Sequence, residues 1–164
     1  MSFTVSDEGT SQSSHSPGPV RPEEILLRLG FHPEHTEDGK ITAHAISRQD
    51  LKNRGFSVNR KHYVSHKTIK DLASQQQNNV PTTRKKTLIS SFSCKAVREL
   101  IDSDGDRAFV VIDEAESDNP AHASIYSASP RGDGAIKKMK KLLLPLLQDH
   151  IDLEAFLQTN PSIS

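Results

Sequence analysis

The chain has 164 residues, and its 21 Lys and Arg are balanced by 21 Asp and Glu, so net charge points to no class of partner. Its hydrophobic content of 34% is low for a globular protein, which predicts that part of the chain is unfolded. A single cysteine excludes an internal disulfide, and no apolar run is long enough to cross a membrane. The sequence therefore predicts a cytoplasmic protein with one ordinary domain and no membrane partner.

The first 20 residues are rich in Ser, Gly and Pro and contain almost no large apolar side chains. Such a composition cannot offset the entropy of ordering, so residues 1–20 are predicted to be a disordered tail. They also lack the basic start and apolar core of a secretory signal. A single α+β domain is predicted over residues 21–158, with a flexible internal linker at 75–86 and a C-terminal tail at 159–164.

The predicted elements begin with a helix at Pro22, because Ile25, Leu26 and Leu29 form one apolar stripe before Gly30. The antiparallel pairing of the predicted strands, with helices on one face, is typical of an α+β fold. The later elements are a strand at 40–46, a helical turn ended by Gly55, a strand at 56–58, a helix capped by Ser65, a strand at 87–92, a helix capped by Ser93, a hairpin over 107–126, a helix over 135–147 interrupted at Pro145, and a last helix from Asp149 or His150 to Leu157.

The hairpin is the element around which the domain is expected to form. Residues 109–112 are a continuous apolar run, which predicts a strand covered on both faces and therefore the most buried element. In the second strand, polar His122, Ser124 and Tyr126 alternate with apolar residues, so one face points away from the core. This pattern places His122 at the mouth of the hairpin, beside Asp118 and Asn119.

A candidate cleft combines basic, hydroxyl and imidazole groups. Arg28 and Arg60 could hold an anion, and His122 could exchange a proton with it as catalytic acid or base. A second interpretation is preferred, in which His122 is a strand-edge histidine that only hydrogen bonds to Asp118. The predicted site residues are Arg28, Ser57, Arg60, Tyr63, Asp118, Asn119 and His122.

Positive charge is concentrated at residues 84–86 and in the predicted helix that carries Lys137, Lys138, Lys140 and Lys141. These lysines could contact phosphate groups of a nucleic acid. However, they have no aromatic residues among them, and the whole chain has no Trp and two Tyr, so base stacking is poorly provided for. A solvated helix face is the preferred interpretation.

Patterns typical of metal sites are incomplete. Asp102, Asp104 and Asp106 have the spacing of a calcium loop, but Arg107 stands where that loop needs Gly. The closely spaced histidine pairs lack the Cys or carboxylate partners of a zinc site. Cys94 lies on the apolar stripe of its helix and is interpreted as a core residue. The sequence therefore predicts neither a metal nor a cofactor.

Four short motifs suggest a relationship to known sequences. They are Leu27-Arg28 to Pro33, Asp38-Gly39-Lys-Ile41, Gly55-Phe-Ser-Val-Asn-Arg60 and Asp118-Asn-Pro-Ala-His-Ala123. Over roughly residues 25–147 the chain resembles small bacterial proteins to which no activity is attached. The resemblance implies a bacterial source and a single fold, and it favours proximity between His122 and the segment that begins at Gly55.

The function expected from the sequence is that of a non-catalytic interaction or accessory protein of a bacterial multi-component system, with a protein partner. Two alternatives remain open. One is a small enzyme that acts on a nucleotide or another phosphate-bearing substrate through His122. The other is nucleic-acid binding through the helix over 137–141. The oligomeric state is not indicated by any of these patterns.

Overall fold

Six strands form one antiparallel sheet, and helices cover both of its faces, in a computed structural model that describes residues 3–11 and 13–160. The order across the sheet is β6-β7-β4-β1-β5-β8, and β2 and β3 form a separate small hairpin. The strands are β1 (Ile25–Pro33), β2 (Thr36–Glu37), β3 (Lys40–Ile41), β4 (Phe56–Arg60), β5 (Arg84–Ser93), β6 (Phe109–Asp113), β7 (His122–Ser127) and β8 (His150–Asp152). The predicted α+β class is confirmed.

The helices begin largely where capping residues predict. The hydroxyls of Ser65 and Ser93 accept hydrogen bonds from the amides of Thr68 and Ala96, as expected for N-caps. Within the described residues, each helix is too short or too polar to span a lipid bilayer. The helices are α1 (His66–Asn79), α2 (Cys94–Arg98), α3 (Asp133–Leu143) and α4 (Leu153–Thr159), with 3-10 turns at Val5–Gly9, Ala43–Ala45 and Leu144–Gln148 and a π-helical turn at Asp50–Arg54.

The first predicted element is wrong in type, because the segment from Ile25 is a strand and not a helix. Leu26 and Leu27 are both buried although adjacent residues of a strand point to opposite faces of the sheet. β1 pairs with β4 on one side and with β5 on the other, so both of its faces meet apolar layers. Tertiary packing has therefore overridden the helical spacing of the apolar residues.

The two faces of the sheet carry separate apolar clusters, so helices lie on both faces and not on one as predicted. On the first face, Leu26, Phe56 and Val58 pack with residues of α2 and α3, including Val97 and Ile136. On the second face the cluster is formed by β1 and β5 with α1 and α4, and its buried members include Leu27, Leu29, Phe31, Ile69, Ile89 and Phe156.

β6 is fully buried, as predicted, although it lies at the edge of the sheet. Its cover is the N-terminal segment, by which we mean residues 3–11 and 13–20. Phe3 packs against Tyr126 with ring centroids 4.6 Å apart, and it joins Val110 and Ile112 in a small apolar cluster. The sequence predicts a disordered tail here, whereas the described residues of the segment lie against the sheet.

Charged groups attach the N-terminal segment to the sheet. Glu8 binds the guanidinium groups of Arg98 and Arg107, and its carboxylate accepts a hydrogen bond of 2.7 Å from the Val111 amide. Asp113 accepts hydrogen bonds from the hydroxyls of Ser11 and Ser16. Composition could not reveal these contacts, because the residues that bind the segment lie about a hundred positions further along the chain.

Three other predicted boundaries also change. Most of the predicted linker at 75–86 is regular structure, since α1 continues to Asn79 and β5 begins at Arg84. The predicted last helix starts later, because His150–Asp152 is the short strand β8. Of the predicted C-terminal tail, Thr159 ends α4 and residues 161–164 lie outside the described part of the chain.

Candidate functional site

His122 faces Ser57 across two neighbouring strands. The register of β4 and β7 pairs Asn59 with His122 and Ser57 with Ser124. The Nδ1 atom of His122 lies 2.9 Å from the carbonyl oxygen of Glu114, and its Nε2 atom lies 3.2 Å from the Ser57 hydroxyl. A carbonyl can only accept, so Nδ1 carries the proton and Nε2 accepts from the serine. The imidazole is thus fixed in the tautomer that a general base requires.

The pair lies in a cleft of about 130 Å³ on the second face of the sheet. Ligand sites for whole small molecules are usually ~300–1,000 Å³, so this cleft accommodates one small group. Asn119 donates a hydrogen bond of 2.8 Å to Asn59, which attaches the β6–β7 loop to β4. The side chains and backbone that line the cleft include those of Arg28, Ser57, Asn59, Glu116, Asn119 and His122.

Asp118 does not hold the histidine, so the hydrogen bond predicted between them is wrong. Asp118 is exposed, whereas a carboxylate oxygen of Glu116 lies 3.5 Å from Nδ1 of His122. The reason is a tight turn in which Glu116 and Asn119 exchange backbone hydrogen bonds of 2.9 and 3.1 Å. This turn brings Glu116 to the ring and leaves Asp118 at the tip of the loop.

Arg28 contributes a positive charge close to the cleft. Its NH1 group donates to the Ser57 carbonyl at 2.8 Å, and Ser57 lies two residues before Asn59, which pairs with Leu27 of β1. The guanidinium carbon lies 3.9 Å from the centroid of the Phe56 ring, and Nε is buried with no hydrogen-bond partner. Burial lowers the pKa of Arg28 to about 10, while Asp50 opposes that shift. Arg28 is therefore still charged at neutral pH.

Arg60 lies on the opposite face and is not part of the cleft. It is 1% exposed and forms two hydrogen bonds with Glu24, of 2.8 and 2.7 Å. Its NH1 atom lies 3.5 Å from Asp113 and 2.7 Å from the Gly18 carbonyl oxygen. Tyr63 is also separate from His122, since its ring lies 4.8 Å from the Arg60 guanidinium carbon. The prediction of one cleft with both arginines and Tyr63 is therefore wrong.

A hydrogen-bonded pair, Tyr126 and Glu114, lies next to His122 and supports its position. The Tyr126 hydroxyl lies 2.9 Å from both carboxylate oxygens of Glu114, the residue whose carbonyl holds the imidazole. Burial and the bond to Glu114 raise the pKa of Tyr126. Gly55 has φ of +93°, and an added Cβ would lie 2.7 Å from the Ser124 hydroxyl and 2.9 Å from that of Tyr126. Sequence analysis missed Glu114, although it directly follows the buried strand.

The lysine face consists of Lys137, Lys138, Lys140 and Lys141 on α3. Three of these residues are exposed and Lys140 is half-buried. Burial, together with the charges of Arg48 and Lys137, lowers the pKa of Lys140. The opposite side of α3 packs into the core, so the predicted amphipathic helix is confirmed. α3 packs on the first face of the sheet and the His122 cleft lies on the second, so the lysine face is a second candidate surface.

Two further sequence signals have structural explanations. One carboxylate oxygen of Asp102 accepts from the amides of Asp104 and Asp106 at 2.8 and 3.0 Å, which is an Asp-rich turn. The described residues contain no group of three His, Cys, Asp or Glu placed to share a metal ion. Cys94 is 0% exposed, and burial raises the pKa of its thiol to about 12, which fits a core residue and not a nucleophile.

One concave surface near a helix end was not anticipated from the sequence. It is a groove of about 490 Å³ between the N-terminal turn of α1 and α4. Its residues come from three separate segments, 21–25, 61–69 and 156–160, so no local motif could reveal it. Its lining includes Arg21, Ile25, Lys61, His62, Val64, His66, Ile69 and Phe156.

Comparisons with protein-family models, with curated proteins and with solved structures each find no match for this chain. The geometry of its own residues is therefore the basis for assigning a function.

Proposed function

We propose that this chain is a non-catalytic accessory protein of a bacterial multi-component system in the cytoplasm, and that it binds an acidic surface of a protein partner through the lysine face. The observation that supports this proposal is a local excess of charge. Among the described residues, none of the four lysines of this face forms an ion pair. Other exposed lysines do, as in Lys67 with Asp71 at 2.6 Å and Lys86 with Asp152 at 2.8 Å.

An apolar depression beside the lysine face supports a protein partner. It has a volume of about 440 Å³ and is lined in part by Ile101, Met139 and Leu142. Ile101 is 56% exposed, so its apolar side chain is accessible to a partner. Protein interfaces combine an apolar centre with a polar rim. We therefore expect an acidic partner surface that also inserts an apolar side chain beside Ile101.

Nucleic acid is the competing ligand for the same lysines. Single-stranded nucleic acids are usually bound by stacking bases on aromatic rings. α3 contains no aromatic residue, and Tyr63 and Tyr126 are engaged with Arg60 and Phe3 elsewhere in the fold. The absence of a stacking platform on α3 favours the protein partner.

The test replaces all four lysines of the lysine face with Gln. The matched control replaces Lys67, Lys70, Lys85 and Lys95, which are exposed on other surfaces, with Gln, so that the net charge changes equally. We expect the parent and the control to elute with a larger complex in native gel filtration from source cells, and the α3 variant to elute alone. Identical elution of all three would refute the proposal, and a salt-dependent shift with mixed DNA or RNA would assign the face to nucleic acid.

The geometry of His122 favours a second candidate, a small enzyme that acts on a phosphate-bearing substrate. With Nδ1 fixed by Glu114, Nε2 of His122 could accept the Ser57 proton at 3.2 Å as Oγ attacks phosphorus and the leaving group departs with its electron pair. The exposed position of Ser57 would support this attack, and Arg28 would hold the Ser57 backbone through its hydrogen bond to the Ser57 carbonyl. The cleft volume of about 130 Å³ suits a single phosphoryl group.

A fluorophosphonate probe tests the enzyme directly. An activated Ser57 would form an Oγ–phosphorus bond, fluoride would leave, and His122 would take the proton. Intact-mass analysis should then show one adduct, which should be absent in Ser57→Ala and should form much more slowly in His122→Asn. Ser129→Ala, a control at an exposed serine, should form the adduct at the parent rate. A parent protein that gains no adduct at Ser57 would exclude this enzyme.

A further inference from the structure

The groove between α1 and α4 has the form of a ligand site. Its volume of about 490 Å³ is within the ~300–1,000 Å³ usual for sites that bind small molecules. Apolar side chains contribute much of its lining, namely those of Ile25, Val64, Ile69 and Phe156. Ile25 remains 37% exposed, although the other three are buried. An apolar surface of this kind, rimmed by polar groups, is typical of a binding site.

The rim of the groove has unpaired positive charge. Both of its acidic residues are already paired, because Glu23 lies 3.3 Å from Arg21 and Glu24 lies 2.7 Å from Arg60. Lys61, by contrast, has no acidic partner within the described residues. Its backbone amide is fixed by a hydrogen bond of 2.9 Å to the Ile25 carbonyl, so its side chain starts from an ordered position beside the apolar lining.

His66 adds a polar atom that lacks a partner. It is the first residue of α1, and its Nε2 atom is buried with no hydrogen bond in the protein. Such an atom is costly to leave unsatisfied. The His66 ring also lies 6.3 Å from the ring of Phe156, which connects it to the apolar lining. Nε2 is closed to solvent, so a ligand oxygen reaches it only if the ring turns toward the groove. The oxygen would then satisfy Nε2 and lie at the positive end of a helix of 14 residues.

We propose that this groove binds a small amphiphilic carboxylate, a molecule with a medium-length acyl or aryl body and one acid group. The apolar body lies on Ile25, Val64 and Phe156, and the carboxylate lies between Lys61 and the Nε2 of His66. Lys61 is the cation of the groove that none of its acidic residues pairs, so a neutral or cationic ligand of the same size would bind more weakly. This site is separate from the lysine face and does not depend on the proposed accessory role.

The test measures binding of octanoate to the full chain by isothermal titration calorimetry. We expect Lys61→Gln to weaken binding about tenfold, because it removes the charge-assisted contact. Lys70→Gln, at an exposed position on α1 outside the groove, is the matched control and should not change the affinity. Ile25→Asn should also weaken binding, with Ile151→Asn as its control at a similarly exposed isoleucine.

Octanol provides the comparison of ligands. It shares the apolar body but lacks the negative charge, so we expect it to bind at least about tenfold more weakly than octanoate. Three results would overturn the proposal: no octanoate binding at millimolar concentration, equal binding of octanol, or an affinity that Lys61→Gln and Ile25→Asn leave unchanged. Binding of an acidic peptide without binding of octanoate would also overturn it, because the site would then serve a protein.

Discussion

The two outer strands of the sheet solve the problem of an exposed edge differently. β6 has five buried residues, and the N-terminal segment lies along it. β8 has only three residues, and its central Ile151 is 41% exposed. Long apolar edges invite pairing with other chains, whereas short edges with charged neighbours do not. An apolar run such as residues 109–112 therefore indicates that a strand is covered, and does not indicate that it is central.

The N-terminal segment is held on β6 by charged side chains that are buried. Arg60 joins Glu24 and Asp113, whose side chains are 4% and 0% exposed, and it also binds the Gly18 carbonyl. Burial would raise the pKa of Glu24, but hydrogen bonds from Arg60 and from the Arg21 amide lower it overall. At the β8 edge, the ion pair found among the described residues is an exposed one, Lys86 with Asp152. We therefore expect perturbations at the β6 edge to cost far more than those at β8.

The largest effect should follow Arg60→Gln. This change leaves the buried carboxylates of Glu24 and Asp113 without their partner, which typically costs about 3–5 kcal/mol of unfolding free energy. Urea denaturation at pH 7 measures the loss. Arg54→Gln is the control, since the side chain of Arg54 is 63% exposed, and it should cost less than about 0.5 kcal/mol. A similar small loss in both variants would contradict the buried position of Arg60.

A smaller effect is expected for Glu8→Ala. It removes the contacts to Arg98 and Arg107 and leaves the Val111 amide without its acceptor, so we expect a loss of about 2 kcal/mol. Hydrogen exchange at Val111 should become faster because the N-terminal segment opens more often. Glu23→Ala, at a side chain that is 72% exposed, should change neither quantity. Unchanged exchange at Val111 in Glu8→Ala would show that Glu8 does not secure the segment.

Acidification should weaken the same edge. The pKa of Glu24 is lower in the folded protein than its ordinary value of 4.5, so its contribution to stability is complete above pH 4.5 and is lost as the pH falls through the folded pKa. Urea denaturation should therefore show a loss below pH 4.5 that is smaller in Glu24→Gln, relative to that variant's own stability at pH 6. A parallel pH dependence in parent and variant would contradict this linkage.

The smallest loss of stability should come from a change at the β8 edge. Ile151→Ser removes an exposed apolar side chain from β8, and surface changes of this kind usually lie within about 0.5 kcal/mol. Thermal denaturation should detect little change, with Ile89→Ser as the contrast, because Ile89 pairs with Ile151 in the register but is 1% exposed. A large loss in Ile151→Ser would mean that the two edges are equally dependent on apolar cover.

Local chemistry made several elements predictable. Ser65 and Ser93 cap helices because their hydroxyls accept amide hydrogen bonds within three residues, and Gly55 ends a helical turn because it can adopt a positive φ. The type of β1 and the order of the N-terminal segment were not predictable in this way. Both depend on partners that are distant in sequence, as the contact between Ser11 and Asp113 illustrates.

At the candidate site, too, local patterns were predictable and contacts between distant residues were not. Alternation along β7 correctly put His122, Ser124 and Tyr126 on one face, but the prediction that this face points away from the core is wrong, because Ser124 and Tyr126 are buried. Alternation would also have separated Ser57 from Arg60, since residues three apart point to opposite faces. The error over Arg60 was therefore avoidable. The register that brings Ser57 to His122 could not be read from either strand alone, and neither could the turn that puts Glu116 by the ring.

The position of the N-terminal segment also has a consequence for biosynthesis. Its residues leave the ribosome before those of the sheet, yet Phe3 pairs with Ala128 and Ser11 binds Asp113, so they cannot dock until the hairpin has been made. Contacts between residues so far apart in sequence form slowly. Until then the nascent hairpin would present Val110, Ile112 and Tyr126, which pack against Phe3 in the folded protein, to solvent. The period between synthesis of the hairpin and docking of the segment is therefore when this protein is most exposed to aggregation and to chaperones.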